Sequence, residues 1–376
     1  MCQGLSNDNK MKSTALEKIT VPTLLLDEHR CRANIRKMSE KAAGSGTFFR
    51  PHFKTHQSLT IGRWFKEEGV TAITVSSLEM AAYFAPEWDD ITVAFPINIL
   101  EIDRINRLAG SIRMNVLVEH TESLSFLAEH LTAPVGYFIK VDVGYGRTGI
   151  SPQDHDRIDG LLTFASSSNL NFKGFLAHAG HTYGCRSAAA ILAIHEQSRA
   201  TMITLKERYQ ARFPELIISL GDTPSCSVAK DFAGMDEIRP GNFVFYDLTQ
   251  ARIGSNTTDQ IAVAMACPIV ARHPERNELV IYGGGVHLSK DRMEGEPEGT
   301  VFGRVVRQEE NGWGELIPGM YLRSLSQEHG IVKGPIAEIE QYQVGDLLLV
   351  LPVHSCMAAN AMKRYLTLEG EWLTRL

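Results

Sequence analysis

The hydrophobic pattern divides the chain into two parts. Between residues 47 and 246, short apolar runs rich in β-branched and aromatic residues alternate with segments whose apolar residues recur at helical spacing. Such alternation is typical of parallel β/α units, and about eight of these strands close a barrel. The predicted strands lie at residues 47–53, 71–75, 91–95, 112–118, 135–143, 172–178, 216–220 and 243–246. The predicted helices lie at residues 56–68, 100–109, 122–130, 154–168 and 188–212.

The segments on either side differ from this pattern. Residues 1–18 are polar, residues 20–27 form an apolar strand, and residues 28–43 have helical periodicity. After residue 248, strands at 261–272, 278–282, 300–307, 320–324, 346–352 and 365–373 are joined by turn residues. We therefore predict an N-terminal tail at 1–20 that joins the β domain, a TIM-type (β/α)8 barrel at 21–249, and a mostly β domain at 250–376. A doubly wound open sheet is the alternative architecture, but no G-x-G-x-x-G follows an early strand.

Composition excludes several classes of protein. The 376 residues are 44% hydrophobic and 22% charged, which is ordinary for a globular chain, and a net charge of −6 gives no general attraction to nucleic acid or to an anionic membrane. The N-terminal residues lack the apolar core of a signal peptide, and no apolar run is long enough to span a bilayer, so the cytoplasm is the expected compartment. The cysteines are scattered and predict buried thiols rather than disulfides: Cys2, Cys31, Cys185, Cys226, Cys267 and Cys356.

The first barrel strand carries the most reactive candidate, Lys54. Read as a strand, residues 49–54 place Arg50, His52 and Lys54 on one face. A lysine held among cationic groups is suited to imine formation and proton transfer. A solvated basic face on an edge strand is the ordinary alternative, because alternation alone is a weak signal.

The other candidates follow the later strands, where the carboxyl ends of barrel strands carry catalytic groups. Glycines surround Arg147, and histidines lie at positions 178 and 181. Small residues at 221–225 expose backbone N–H groups, as phosphate-binding loops require, and Arg239 leads into the last predicted strand. Taken singly, these residues have ordinary explanations as turn glycines, a buried histidine or a surface ion pair. Their shared place at one rim, together with Lys54, indicates a pyridoxal phosphate site.

At these positions the chain resembles the D-serine dehydratase and D-threonine aldolase family, whose members are pyridoxal phosphate enzymes of the alanine-racemase-type fold. The resemblance covers residues 21–376 and is carried by RPHFKTH, VDVGYGRTG, AHAGHTYG, SLGDTPSC, EIRPGNFVFYD, YGGGVHLSKD and PVHSC. It implies that Lys54 is the Schiff-base lysine, that Arg147 contacts the phenolic oxygen of the cofactor, and that His178 lies against its ring. It implies further that Tyr183 lies close to the cofactor and that Arg239 matches the arginine facing the pyridine nitrogen in racemases. The implied phosphate-binding residues are Gly221, Thr223, Gly241 and Asn242.

The β domain contributes the pair His354 and Cys356. Two ligands are fewer than a closed structural zinc site needs, so a buried cysteine beside a histidine is the more common interpretation of the pair alone. The resemblance instead matches the pair to the metal site of the family. Thiolate with imidazole favours zinc, whereas an H-x-D pair suits manganese or magnesium. In this family, H-x-C resembles the zinc-dependent D-serine dehydratases, and H-x-D resembles the aldolases.

The resemblance implies a lyase that acts on a β-hydroxy D-amino acid. In this hypothesis Lys54 removes the α-proton, zinc stabilises the departing hydroxyl, and His181 is a second acid-base or metal-proximal group, with a loop hydrogen bond as its ordinary alternative. The closest rival is retro-aldol cleavage to glycine and an aldehyde. A racemase or a non-catalytic pyridoxal phosphate carrier is less favoured, because neither needs the metal pair. The family also implies a homodimer.

Overall fold

The computed structural model describes residues 16–376, so residues 1–15 of the predicted tail lie outside the described residues. These residues form two compact units. The barrel unit comprises residues 32–257 and 375–376, and the β unit comprises the preceding residues up to 31 together with 258–374. The first elements of the chain are strand β1 (Thr23–Leu26) and helix α1 (Glu28–Gly44).

The barrel unit contains an eight-stranded sheet in which all neighbouring strands are parallel. Its strands are β2 (Phe48–Phe49), β3 (Ile73–Val75), β4 (Asp90–Pro96), β5 (Arg113–Val118), β6 (Val135–Val141), β7 (Leu170–Ala177), β8 (Ile217–Leu220) and β9 (Glu237–Ile238). Its helices are α2 (Leu59–Glu67), α3 (Leu78–Phe84), α4 (Ile102–Ala109), α5 (Thr121–His130), α6 (His155–Leu162), α7 (Ala188–Tyr209), α8 (Thr223–Val228) and α9 (Leu248–Arg252). Strand β6 is buried along its whole length, which explains its nearly continuous apolar sequence.

The sheet closes at Thr74, which confirms the predicted barrel. The spatial order of the strands is β2-β9-β8-β7-β6-β5-β4-β3, so β2 and β3 are the two edges. The chain beyond β2 pairs with β3, because Phe53 N–H donates to Thr74 O at 2.8 Å and Thr74 N–H donates to Pro51 O at 2.9 Å. These two bonds remove the free edges that an open sheet would leave.

The last barrel strand lies earlier than the sequence predicts. Residues 243–246 were expected to form it, but β9 at Glu237–Ile238 pairs with β2 and β8, and Asn242–Val244 form a 3-10 helix. Phe243 and Phe245 are fully buried, so the apolar run reflects burial in the core rather than a strand.

The β unit is built on a nine-stranded sheet that is antiparallel apart from the β1–β18 pair. Strand β1 belongs to this sheet and not to the barrel, because it pairs with β10 and β18. The remaining strands of this sheet are β10 (Val263–His273), β11 (Glu278–Tyr282), β14 (Gly303–Glu309), β15 (Gly312–Leu325), β16 (His329–Lys333), β17 (Leu347–Pro352), β18 (Arg364–Thr367) and β19 (Trp372–Thr374). Strands β12 (Met293–Glu296) and β13 (Gly299–Val301) form a separate two-stranded antiparallel sheet. The helices are α10 (Gly285–Leu288), α11 (Ile336–Ile339) and α12 (Ser355–Met362).

Short 3-10 helices complete the secondary structure, at Leu16–Lys18, Ile99–Glu101, Thr163–Ser166, Gly180–Gly184, Asn242–Val244, Thr258–Gln260 and Pro274–Arg276. Within residues 16–376, no helix combines the length and the apolar character needed to cross a bilayer.

Candidate functional site

A cavity of about 340 Å³ lies in the barrel unit, where the loops after the strands converge. All nine residues predicted to bind the cofactor line it, although they come from five separate segments of the chain. They are Lys54, Arg147, His178, Tyr183, Gly221, Thr223, Arg239, Gly241 and Asn242.

Lys54 lies in a turn that follows the barrel closure, with an exposed side chain at the cavity wall. Regular pairing of β2 stops at Phe49, and Pro51 has no N–H to continue it. The predicted alternation is correct in part. Arg50 does not reach the cavity, because it is buried in ion pairs with Glu237 and Asp90.

The two histidines that flank Lys54 stabilise this turn. His52 Nδ1 accepts the Lys54 N–H at 3.3 Å, and His56 Nδ1 accepts the Ser58 N–H at 3.1 Å. Burial lowers the pKa of His52 well below its ordinary value, and the Lys54 ammonium lowers it further. Burial lowers the pKa of His56 to about 3, with Arg375 acting in the same direction. Both rings are therefore neutral near pH 7 and carry their proton on Nε2.

A loop closed by Asp142 presents Arg147 to the cavity. The Asp142 carboxylate accepts the backbone N–H groups of Gly144, Tyr145 and Gly146 at 2.9–3.1 Å. Burial acts to raise the pKa of Asp142, but these three donors outweigh it and leave the pKa below its ordinary value. The Arg147 guanidinium lies over the Tyr145 ring, 5.0 Å from its centroid. The glycines are visible in the sequence motif, but the motif does not reveal that the Asp142 carboxylate accepts their backbone N–H groups.

The histidine loop places two predicted residues, His178 and Tyr183, at the cavity and a third, His181, behind it. His178 Nδ1 donates to Gly221 O at 3.1 Å, and burial lowers the pKa of the ring to about 3. Its Nε2 is therefore an acceptor. Tyr183 lies beside this ring, with centroids 6.5 Å apart. His181 does not line the cavity. It stacks on Tyr145 at 6.4 Å and 24°, and burial lowers its pKa.

Thr223 joins the two loops that form the predicted phosphate site. Its Oγ1 accepts the N–H groups of Gly241 and Phe243, each at 3.3 Å. A hydroxyl that accepts two bonds keeps its own proton for a third partner. Glycine is required at two positions of this site. A Cβ atom at Gly221 would lie 2.5 Å from the Arg239 backbone nitrogen, and one at Gly241 would lie 2.9 Å from the His52 carbonyl oxygen.

Arg239 is buried and is held by the barrel wall. Its Nε donates to Ser219 Oγ, and its Nη2 donates to Ala177 O and, at 3.2 Å, to Ser219 O. Ser219 Oγ in turn donates to Glu237 at 2.6 Å. Burial lowers the pKa of Arg239 to about 10, which still leaves it cationic at neutral pH. The ordinary explanation of Arg239 as a surface ion-pair partner is wrong.

Lys140 also lines the cavity, although it is not among the residues predicted from the sequence. It lies in β6, is buried, and donates from Nζ to Val141 O at 3.0 Å. Burial lowers its pKa to about 8, and the Arg239 charge acts in the same direction. A lysine inside an otherwise apolar strand is the signal that would have identified it.

The cavity has the chemistry of a site for a phosphorylated aldehyde. Among the described residues that line it, Lys54, Lys140, Arg147 and Arg239 are basic and Asp222 carries a carboxyl group. Burial raises the pKa of Asp222 to about 6, which reduces the negative charge that would oppose an anion. A primary amine, excess positive charge and the Thr223 hydroxyl together fit pyridoxal phosphate.

The predicted metal pair lies in the β unit, at the start of α12. His354 is the residue before the helix, and Cys356 is half-buried within its first turn. Five cysteines fall within residues 16–376, and all of them are thiols. In this part of the chain, no group of three or more His, Cys, Asp or Glu side chains converges on a metal position. The donor set therefore supplies one imidazole and one thiol, which suits zinc with open positions.

Comparison with known proteins identifies two matching domains. Residues 26–248 match the family model described as "Alanine racemase, N-terminal domain". Residues 262–368 match the model described as "Putative serine dehydratase domain".

Relatives match nearly the whole chain. The D-serine dehydratase of Dictyostelium discoideum is 29% identical, over 95% of this chain and 95% of its own. The D-threo-3-hydroxyaspartate dehydratase of Delftia sp. is 24% identical, over 96% of this chain and 97% of its own. A solved D-threo-3-hydroxyaspartate dehydratase, a Cys-to-Ala mutant in the metal-free form, superposes with a TM-score of 0.90 at 23% identity, over 96% of this chain and 99% of its own.

Proposed function

The chain belongs to the alanine-racemase-type family of pyridoxal phosphate enzymes, in the branch of the D-serine dehydratases and D-threonine aldolases, and from this premise we propose that it dehydrates D-serine. Water is lost across Cα and Cβ, and the resulting enamine takes up water again to give pyruvate and ammonia. The observation that carries the proposal is one cavity lined by both the Lys54 amine and the Thr223–Gly241 loops.

The residues that would hold the cofactor follow from the contacts at the cavity. The phosphate would take the Thr223 hydroxyl and the backbone around Gly221, Gly241 and Asn242. Arg147 would pair with the phenolic oxygen, and neutral His178 would lie against the ring. Tyr183 would lie beside it, and Arg239 would face the pyridine nitrogen. When bound, pyridoxal phosphate supplies the electron sink that stabilises the charge left at Cα.

Lys54 would serve as the base that takes the α-proton at Nζ. The Lys54 amine shares its cavity with Lys140, Arg147 and Arg239, and this positive charge would attract the carboxylate of the substrate. Two neutral histidines, His52 and His178, add hydrogen-bonding groups without further charge. We keep His181 as the second acid-base group, in a position behind Tyr145 rather than at the cavity wall.

Zinc on His354 and Cys356 would supply Lewis-acid chemistry for a poor leaving group such as hydroxyl. Two findings on the relatives support the pair. D-threo-3-hydroxyaspartate dehydratase has been solved as a metal-free Cys-to-Ala mutant and as a His-to-Ala mutant. The two replaced residues are two positions apart in that enzyme, which is the spacing of His354 and Cys356.

An assay of the purified protein with D-serine and D-threonine tests the proposal. We expect pyruvate and ammonia from D-serine, and an absorbance band of the bound cofactor that is absent in Lys54→Ala. Glycine and an aldehyde without any 2-oxo acid would instead identify retro-aldol cleavage, the reaction for which the Arthrobacter D-threonine aldolase is named. Turnover without either product, or no turnover, would reject the lyase assignment.

We also propose a homodimer in the cytoplasm. The dimer rests on the family, and sedimentation at several concentrations would test it. The cytoplasm rests on the thiol state of Cys31, Cys185, Cys226, Cys267 and Cys356, which suits a reducing compartment.

A further inference from the structure

The turn that carries Lys54 ends at Gln57, a residue with strained backbone. Gln57 has a φ of 47°, in the left-handed region that a side chain other than Gly, Asn or Asp rarely adopts. Left-handed residues outside glycine persist where neighbouring contacts enforce them, and they concentrate at functional sites. Gln57 lies three residues after the proposed catalytic amine, so its contacts bear directly on that amine.

Three hydrogen bonds hold Gln57. Its backbone N–H donates to Phe53 O at 3.0 Å, and its side-chain Nε2 donates to Lys54 O at 2.9 Å. Its own carbonyl accepts the N–H of Leu376 at 2.9 Å. Leu376 belongs to the barrel unit, although it lies more than 300 positions away in sequence.

The other side of the turn is fixed by packing. Phe53 is fully buried and contacts the rings of Phe65, Phe84 and Trp88, with centroids 4.9–5.2 Å apart. The Lys54 backbone is therefore held on its N-terminal side by the aromatic cluster around Phe53 and on its C-terminal side by Gln57. Of these two anchors, the Gln57 side chain is the one that contacts Lys54 itself.

We infer that Gln57 is a positioning residue for Lys54 and that Leu376 holds Gln57 in place. A lysine side chain has four rotatable bonds, so the orientation of its Cα–Cβ bond sets which volume the Nζ atom samples. The amide of Gln57 fixes the Lys54 carbonyl and with it that orientation. Capture of the cofactor aldehyde depends on the Nζ position, whereas binding of the cofactor phosphate depends on the Thr223 loops.

This inference rests on the proposed function, and the experiment separates the two. Stopped-flow absorbance measures the rate at which the protein captures pyridoxal 5′-phosphate, and borohydride trapping confirms the linked lysine. Lys54→Ala first establishes that the captured band requires this amine; if the band persisted, the proposed function would fail. Pyridoxamine 5′-phosphate, which lacks the aldehyde, reports affinity for the phosphate site independently of Lys54.

Gln57→Leu removes the side-chain donor. We expect capture to slow by roughly threefold to tenfold, as the loss of one net hydrogen bond would produce, with pyridoxamine 5′-phosphate affinity unchanged. Gln341→Leu is the matched control, because Gln341 Nε2 also donates to a backbone carbonyl at 2.9 Å on an exposed surface, in the β unit. Unchanged capture in Gln57→Leu, or an equal loss of affinity for pyridoxamine 5′-phosphate, would overturn the inference.

A second pair of variants tests the hydrogen bond between the Leu376 N–H and the Gln57 carbonyl. Leu376→Pro removes the N–H that Gln57 accepts, and Leu376→Ala keeps it. We expect slower capture in Leu376→Pro alone. Equal rates in the two variants would show that Leu376 does not hold the turn, whether or not Gln57→Leu folds.

Discussion

The side-chain hydroxyl of Thr223 accepts a hydrogen bond from the backbone N–H of Gly241, at 3.3 Å. The two residues belong to different loops, one following β8 and the other following β9. The bond joins the two loops of the proposed phosphate site, and the remaining hydroxyl proton would be available to the phosphate.

Replacing Thr223 with valine should weaken cofactor binding. The variant keeps the shape of the side chain but loses both the acceptor for two N–H groups and the donor to phosphate. We expect the dissociation constant of pyridoxal phosphate to rise by roughly tenfold to a hundredfold, in line with the loss of a hydrogen bond to a charged group. Titration by absorbance measures it. Thr201→Val, which removes a helix-surface hydroxyl bonded to Gln197 O at 2.9 Å, should bind normally.

Replacing Asp142 with alanine should displace Arg147. Three backbone N–H groups lose their acceptor, so the loop relaxes and the guanidinium no longer has a fixed position. We expect turnover of D-serine to fall about as far as in Arg147→Ala, and the double variant to fall little further, because both changes remove one interaction. Asp154→Ala, which removes the carboxylate that caps α6, should leave turnover unchanged. If the losses of turnover in the two single variants added up in the double variant, the proposed coupling of Asp142 and Arg147 would be contradicted.

Stability of the barrel unit should fall in acid because of His52 and His56. Both have a folded-state pKa below the ordinary value of 6.5, so the unfolded chain binds protons first as the pH falls. The stabilisation from His56 is complete above pH 6.5 and is lost as the pH falls from 6.5 toward about 3, and His52 acts in the same direction. His56 contributes a slope of about 1.4 kcal/mol per pH unit in this window.

Urea unfolding between about pH 7 and about pH 5 measures this slope. His56→Asn supplies a non-titrating acceptor for the Ser58 N–H and should flatten the slope. His29→Asn, at an exposed position on α1, should not. An equal slope in wild type and His56→Asn would exclude His56 as the source.

Removing the metal pair should separate chemistry from cofactor binding. His354→Ala and Cys356→Ala are expected to lose bound zinc and D-serine turnover, on the order of a hundredfold or more, while the cofactor absorbance band persists. In wild type, a chelator should remove zinc, which elemental analysis measures, and should lower D-serine turnover. Added zinc should restore the turnover. Cys185→Ala, a buried thiol in the barrel unit, should retain both zinc and turnover. Full activity in a zinc-free protein would reject the metal role.

Sequence reasoning located the cavity residues because they follow strands, and parallel strands bring their carboxyl ends together. It did not reveal the residues that position them. Asp142 accepts backbone N–H groups and Gln57 donates to the Lys54 carbonyl, and contacts of this kind with the backbone leave no periodic signal in the sequence. Lys140, by contrast, is visible in the sequence as a lysine inside an apolar strand.

The errors in strand assignment have a similar origin. The run at 243–246 is apolar because it is buried, and burial alone does not distinguish a strand from a 3-10 turn. Strand β1 is apolar enough for either sheet, and only its pairing with β10 and β18 assigns it to the β unit.

The barrel closes through Pro51, Phe53 and Thr74, and Phe53 directly precedes Lys54, the proposed nucleophile. The positions around the cavity are therefore not equally suitable for redesign of this enzyme toward other substrates. Mutations along the closing seam would alter the scaffold and the nucleophile at once, so changes there would be hard to interpret or to combine. The carboxyl end of β4 reaches the same cavity through Phe95, which is largely exposed and contributes no backbone bond to the closure, and this position is the better place to diversify.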